Sequence, residues 1–388
     1  MAQAACTIQA RPQAVYPAAP VTIAKGMRPV NDVNGWNVRG PFVEGSICTA
    51  DIETPGKGTC SLCCGSCFRR GPGFSKEERM GREELFAHLA EAKELGLMSV
   101  KLIGPGEPLE EPDLLNFIKR LKNMGLTVLI FTKGHVIGND ALCRQIHGMD
   151  GGALAAELRK LDVSILLGTT SFVPELEDAA VGRFGYHAER NEAILRLIGA
   201  GFADFNPGEA TRLAFVCTPV TPKNIDEVFD LYVWARERNI QPVIAPTMIA
   251  GRALGKLSKI VPKREPLLQL YTRILVWAVE RGVMTLEELK KYGVPAYAGG
   301  AWCNQVAFGM YMVGTGEVWQ CPGRRNVLGN LKEESLTEIW NKSENRHYAS
   351  DPITAVNNGC PAKEGRSFPV GFFEDVLERV LGFFANPH

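Results

Sequence analysis

From residue 46 onward, short apolar runs alternate with longer amphipathic stretches. The apolar runs are "SICTADI" (46–52), "MSVKLI" (98–103), "LTVLIFT" (126–132), "DVSILLG" (162–168), "RLAFVCT" (212–218) and "QPVIAPT" (241–247). Each has strand length and is bounded by turn-forming or polar residues. Between them the apolar positions recur at helical spacing. Leu85, Phe86, Leu89, Ala92 and Leu95 make one stripe in a segment that opens with Ser75 and Glu78 at capping-box spacing and ends at Gly96. Further helices are predicted around "DLLNFIKRLKNMG", at 153–160, at 188–199, and after Asn224 and Asp226. Six strands alternating with helices imply a parallel α/β sheet, and strands this apolar are buried on both faces. Six units are two short of an eight-fold barrel. On periodicity alone, a partial barrel and an open doubly wound sheet both fit.

The flanks differ. Residues 1–45 carry prolines and no helical period, which predicts an extended arm before a barrel spanning 46–250. A helical connector is expected over 251–300, with helices near 265–281 and from Thr285, where Glu288 completes a capping box. A β-hairpin follows in "WCNQVAFGMYMVGTGEVWQCPG", turning at Gly314 and Gly316. With the helical segment after it, the hairpin is expected to form a small domain over 301–365. The tail at 366–388 reads as an amphipathic helix docked on the body through Phe372, Phe373, Val376, Val380 and Phe383.

Composition narrows the function. Among the 388 residues, Lys+Arg and Asp+Glu each total 43, so no charge excess points to nucleic acid or a membrane surface. No signal-like segment and no apolar run of membrane-spanning length is present, which leads us to expect a cytoplasmic protein. Its 11 cysteines are odd in number and clustered, a pattern that favours metal or redox chemistry over disulfides.

The densest cluster is "GTCSLCCGSCFRRG" (58–71), with Cys60, Cys63, Cys64 and Cys67. One zinc ion held by all four would have to take adjacent Cys63 and Cys64 on the same small metal. A cubane iron–sulfur cluster is larger and accepts unequal spacing. Cys60, Cys64 and Cys67 give C-x3-C-x2-C, which would leave one iron without a protein ligand.

This loop, placed after the first strand, resembles that of the radical S-adenosylmethionine (SAM) enzymes. A second match follows strand two: "LIGPGEPLE" sets Gly104, Gly106, Glu107 and Pro108 at the stretch where the family hydrogen-bonds the amino group of SAM. Weaker matches are "FTKG" (131–134), "TPKN" (221–224) and "IAGRA" (249–253), the last bringing Arg252 where the family often has an arginine near the substrate. The resemblance covers about residues 46–253 and implies a partial (β/α)6 TIM-like barrel. It also implies a [4Fe–4S] cluster on Cys60, Cys64 and Cys67, with Cys63 as a bystander, and SAM on the open iron. One electron from an external donor of flavodoxin or ferredoxin type would cleave SAM to a 5′-deoxyadenosyl radical, which takes a hydrogen atom from the substrate. The family's aromatic residue before the third cysteine is replaced here by Ser66, which leaves Phe68 for the adenine. Thr169 and Ser171, after strand four, stand where the family contacts ribose or the methionine carboxylate.

Cys303, Gly316 and Cys321 read C-x12-G-x4-C across the hairpin, with Cys360 beyond. This is similar to the SPASM/twitch extension of the same family and implies one auxiliary iron–sulfur cluster, a [4Fe–4S], on Cys303, Cys321 and Cys360. His347 is a candidate fourth ligand. The family includes peptide maturases, sulfatase activators and aminocyclitol dehydrogenases. Because residues 1–45 are too short and too proline-broken for a leader-peptide module, a small-molecule substrate such as a sugar or aminocyclitol is expected, with oxidation as its fate. A SPASM-type peptide or protein maturase is the second expectation, and a non-catalytic iron–sulfur or zinc module a distant third.

Overall fold

A computed structural model describes residues 13–37, 45–54, 58, 60–71, 79–343 and 368–385, with Arg324 given by its backbone alone. The expected capping pair Ser75–Glu78, together with Cys6, His347 and Cys360, lies outside the described residues.

Six parallel strands form an open partial barrel. They are β1 (Thr49–Ile52), β2 (Ser99–Leu102), β3 (Thr127–Thr132), β4 (Ser164–Gly168), β5 (Leu213–Cys217) and β6 (Gln241–Ile244), paired in sequence order. Helices return the chain between them. These are α1 (Arg82–Glu94), α2 (Leu114–Asn123), α3 (His135–Gly138), α4 (Asp140–His147), α5 (Gly151–Lys160), α6 (Pro174–Val181), α7 (Tyr186–Gly199) and α8 (Ile225–Arg236). Each strand thus meets its successor through a helical crossover, as parallel pairing requires.

The strands are lined differently on their two faces. Outward side chains such as Ala50, Ile52, Val100 and Ile130 pack with Leu85, Phe86 and Leu89 of α1 and Phe117, Ile118 and Leu121 of α2 in one continuous apolar core. Inward, Leu129, Leu166, Ala214, Val216 and Val243 form a second, smaller cluster with Val33 of the arm. The arm therefore does more than extend. Val33 bridges Thr211 in parallel, Ser164 Oγ donates to the Asn34 carbonyl at 2.9 Å, and Gly35, at φ +86°, lies so close to Thr127 and Leu129 that a Cβ would clash at 2.6 and 2.7 Å. These partners stand at the N-terminal ends of β3 to β5, so residues 31–37 close the barrel floor. The opposite, C-terminal ends carry the cysteine loop and the glycine turn, the side on which barrels of this kind place their sites.

After β6 come α9 (Leu257–Ile260), α10 (Arg264–Glu280), α11 (Leu286–Tyr292) and α12 (Gln305–Phe308). Thr285 and Glu288 form the expected capping box at the start of α11. The hairpin consists of β7 (Gly309–Met312) and β8 (Glu317–Cys321), with Tyr311 opposite Trp319, and is extended by β9 (Arg324–Asn330). It is not detached from the barrel: β7 runs parallel to β1 and makes the sheet nine-stranded, in the order β6-β5-β4-β3-β2-β1-β7-β8-β9. Helix α13 (Leu336–Lys342) then packs on α1, and the Glu91 carboxylate accepts from the Leu336 and Thr337 amides at its N-terminus. The tail forms α14 (Phe372–Ala385), which buries Phe372, Val376 and Val380 against α10, while Phe383 stays 46 % exposed. No helix among the described residues is long and apolar enough to cross a membrane.

Candidate functional site

Cys60, Cys64 and Cys67 line one cavity of about 910 Å³, together with Gly106 and Glu107 of the glycine turn, Phe68, and Lys133 at the end of β3. Cys63 does not line it. Its thiol is exposed, accepts from Arg252 Nη1 at 3.3 Å, and is drawn towards the thiolate by that guanidinium. Cys60 and Cys64 behave oppositely. Burial, reinforced by Glu107, pushes Cys60 up to about 12, and burial also raises Cys64 against the pull of Lys133. Such groups are released from their protons by binding a metal rather than by solvent.

The loop is fixed from three sides. Glu110 accepts from the Ser61 amide at 2.9 Å, from Ser61 Oγ at 2.7 Å and from His135 Nε2 at 2.8 Å. Burial alone would raise this carboxyl, but the His135 and Ser61 hydrogen bonds outweigh it and hold Glu110 down at about 2. Arg70 donates to the carbonyls of Leu62 and Cys60 at 3.2 and 3.3 Å. Behind the loop, Gly251 sits at φ +58° so near the Cys67 and Phe68 carbonyls that a Cβ would approach them to 2.4 and 2.5 Å, and the Arg252 amide donates to the Cys67 carbonyl at 3.0 Å.

Not every expected residue reaches this cavity. Gly104 and Gly106 both take left-handed backbone, at φ +127° and +78°, as a tight turn beside a ligand requires. Glu107 lines the cavity yet is used by the fold: it accepts from Thr132 Oγ1, from the Lys133 amide at 2.8 Å and from the Leu109 amide at 3.2 Å, tying the β2 turn to the end of β3. Pro108 is buried behind it. Thr169 and Ser171 are buried and line neither this cavity nor its neighbour; Ser171 donates to Glu227, and Thr169 to the Leu167 carbonyl at 3.4 Å. Arg252 likewise lines neither, and its side chain grips the outside of the cysteine loop at Cys63 and the Cys64 carbonyl.

A second cavity, about 1,080 Å³, occupies the barrel interior. Seven residues, among them Phe68, Ile103, Phe131 and Met248, line both cavities, so the two adjoin at a shared wall. Cys303 and Cys321 line this second cavity. Cys303 precedes the short helix α12 and Cys321 ends β8.

Glu53, at the end of β1, couples the two cysteine sets. It pairs with Arg69 from the cysteine loop and with Arg79 at 2.9 Å, and accepts from Tyr311 Oη on β7 at 2.5 Å and from the Gly314 amide of the hairpin turn at 2.9 Å. Deeper in the barrel, Asp51 and Lys101 face each other across β1 and β2 at 3.5 Å. Sequence reasoning passed over them, although a charge in the middle of each of two otherwise buried strands was a visible signal. Lys133 was missed in the same way, inside "FTKG".

The family model of the SPASM iron–sulfur cluster-binding domain matches residues 303–361, a span that holds Cys303, Cys321 and Cys360. Among solved structures, Streptococcus suis SuiB bound to its precursor peptide SuiA is 15 % identical, with a TM-score of 0.55 over 85 % of this chain and 76 % of that one. SuiB without the peptide gives 15 %, 0.50, 80 % and 67 %. The structure of anSMEcpe with bound AdoMet gives 14 %, 0.55, 87 % and 97 %. No curated relative matches the sequence. The resemblance seen in the sequence thus holds: the chain has the fold of radical SAM enzymes that carry a SPASM domain, and has that domain itself. The expected cofactor set, a SAM-binding [4Fe–4S] cluster, SAM and an auxiliary iron–sulfur cluster, is the one that goes with this fold and domain. The donor chemistry is compatible with it, three soft thiols from one clamped loop lining a cavity, although among the described residues no three metal-binding side chains converge on a single ion.

Proposed function

We propose that the chain is a radical SAM oxidoreductase that modifies a substrate held in the barrel interior. The observation that carries this reading is the shared wall of the two cavities, with Cys60, Cys64 and Cys67 on one and Cys303 and Cys321 on the other. Cys60, Cys64 and Cys67 would hold the cluster that binds SAM, and Cys303, Cys321 and Cys360 the auxiliary one. Bound there, the first cluster and SAM supply a radical able to take a hydrogen atom from an unactivated C–H bond.

The chain's own residues do the rest. Gly104 and Gly106 let the turn after β2 approach the methionine end of SAM. Phe68, standing on the shared wall, offers a ring to the adenine. Phe131, Ile103 and Met248 keep water from the reacting carbon. An auxiliary cluster on Cys303, Cys321 and Cys360 would supply an acceptor for the second electron of an oxidation. The first electron would come from an external donor of flavodoxin or ferredoxin type, in the cytoplasm, where thiols stay reduced.

For the substrate, the sequence suggested a small molecule, and the likeness to SuiB, solved with a precursor peptide, supports a peptide as the second reading. Anaerobic reconstitution followed by reduction tests the enzymatic class. The reconstituted protein is expected to form 5′-deoxyadenosine from SAM, and the Cys60→Ala, Cys64→Ala, Cys67→Ala triple variant to form none. Absence of the product from the reconstituted parent would refute the proposal.

A further inference from the structure

The barrel cavity has a composition of its own. Its wall is mainly the rings of Trp36, Phe68, Phe131 and Tyr297 and aliphatic side chains such as Leu166 and Val243, with Thr218, Thr247, Gln305 and the two cysteines, Cys303 and Cys321, between them. Charge enters through two lining residues, Asp51 and Lys101, which are 2 % and 5 % exposed.

Lys101 is already engaged. Its ammonium donates to Thr49 Oγ1 and to Gln305 Oε1, both at 2.9 Å, and stands 3.5 Å from Asp51 while lying 5.6 Å from the centre of the Trp36 ring. Of the ammonium's three protons two are donated to Thr49 and Gln305, and the third faces Asp51 across the longer ion-pair contact. Asp51 is the opposite case. A carboxylate accepts through about four lone-pair sites, and among the described residues Lys101 is the cation that meets it. The polar end of the cavity is therefore an acceptor held in place by a saturated cation.

From this we infer that the reacting part of the substrate is an aromatic group, of phenol or indole size, whose single O–H or N–H donates to Asp51 while its ring lies among Trp36, Phe131 and Tyr297. A sugar or aminocyclitol fits poorly. It would bring several hydroxyls against apolar side chains, and each one left without a partner counts against binding. Ring-on-ring contact at offset or edge geometry suits the wall that is present. The aromatic group belongs either to a free small molecule or to a Tyr or Trp side chain of a peptide; the chemistry that Asp51 and the rings recognise is the same. The inference rests on the reading of the barrel interior as the substrate site.

The test is calorimetric titration of the anaerobically reconstituted protein with SAM present, using p-cresol, indole, toluene, myo-inositol and a short tyrosine-containing peptide as probes. p-Cresol and indole are expected to bind, p-cresol about tenfold tighter than toluene, the worth of one hydrogen bond. myo-Inositol is expected not to bind. Asp51→Asn should erase most of the difference between p-cresol and toluene. Val243→Phe, which fills the cavity from a wall position away from the cysteine loop, should abolish binding of all the aromatic probes, and it carries the test if the Asp51 variant does not fold. A peptide that binds more tightly than p-cresol identifies a peptide source, and the reverse a free molecule. Preference for myo-inositol, or p-cresol binding unchanged in Val243→Phe, would overturn the inference. Formation of 5′-deoxyadenosine, measured on the same preparation, separates the two failures. A protein that cleaves SAM but prefers myo-inositol refutes this inference alone, whereas one that binds p-cresol and never cleaves SAM refutes the enzymatic reading.

Discussion

The cysteines of the 60–67 loop and those of the hairpin are held by different means. The loop has no regular structure, and side chains from elsewhere pin it: Glu110 and His135 at one end, Arg70 across its carbonyls, and Arg252 and Gly251 behind. Cys321 instead ends a strand paired with β7 and β9, and Cys303 stands just before α12, lining the same cavity. A loop fixed by side-chain clamps can present three thiols on one side and still leave room beside them. A thiol on a paired strand is as rigid as the sheet. The difference suits a site that must admit and release SAM on one side and a permanent cluster on the other. Glu53, bonded to Arg69, Tyr311 and Gly314, joins the two.

Breaking the loop set should have the largest effect. Cys60→Ala, Cys64→Ala or Cys67→Ala is each expected to reduce reductive SAM cleavage to background, while Cys63→Ala, whose thiol faces solvent, keeps it; product chromatography reads both. Equal loss in all four would show that Cys63 is part of the set. Next comes the hairpin set. Cys303→Ala and Cys321→Ala should leave uncoupled SAM cleavage in place and stop turnover of substrate. Full turnover in either variant would show that the second site takes no electron.

The clamps should matter less than the thiols they hold. Glu110→Gln removes the charge that accepts from Ser61 and His135 and is expected to cost about 1–3 kcal/mol in denaturant unfolding. Glu110 is depressed in the fold, so its contribution is present above the ordinary glutamate value of 4.5 and is lost as pH falls towards about 2. A stability profile flat across that window would mean that the clamp contributes nothing. The smallest effect is expected far from both sets. The exposed Arg379–Glu265 pair lies 2.9 Å apart between α14 and α10, and Arg379→Ala should leave the denaturant midpoint essentially unchanged, because solvent screens such a pair.

The strands were legible in the sequence because burial on both faces leaves continuous apolar runs between turn residues. The cysteine loop was legible because its spacing is local, and the register of the hairpin because two glycines mark its turn. What stayed hidden depends on contacts far apart in the chain. The arm looked merely extended, yet Val33 and Trp36 reach the barrel floor through partners more than 60 residues away. Helix α6 was passed over because it is short and half polar, although Pro174 at its first position is a start signal. Asp51 and Lys101 interrupt β1 and β2 in plain view, but the sequence does not say that both point inward. Thr169, Ser171 and Arg252 follow the right strands, but that the fold pairs Ser171 with Glu227, Arg252 with Cys63 and Thr169 with the Leu167 carbonyl could not be read from the sequence.

The central claim is that two separate cysteine sets hold two clusters. It is tested most directly by iron and acid-labile sulfide per chain after anaerobic reconstitution, in the parent protein and in the Cys60→Ala, Cys64→Ala, Cys67→Ala variant. About eight irons falling to about four is the expected result. About four falling to none would remove the auxiliary cluster, and zinc in place of iron would contradict the account altogether.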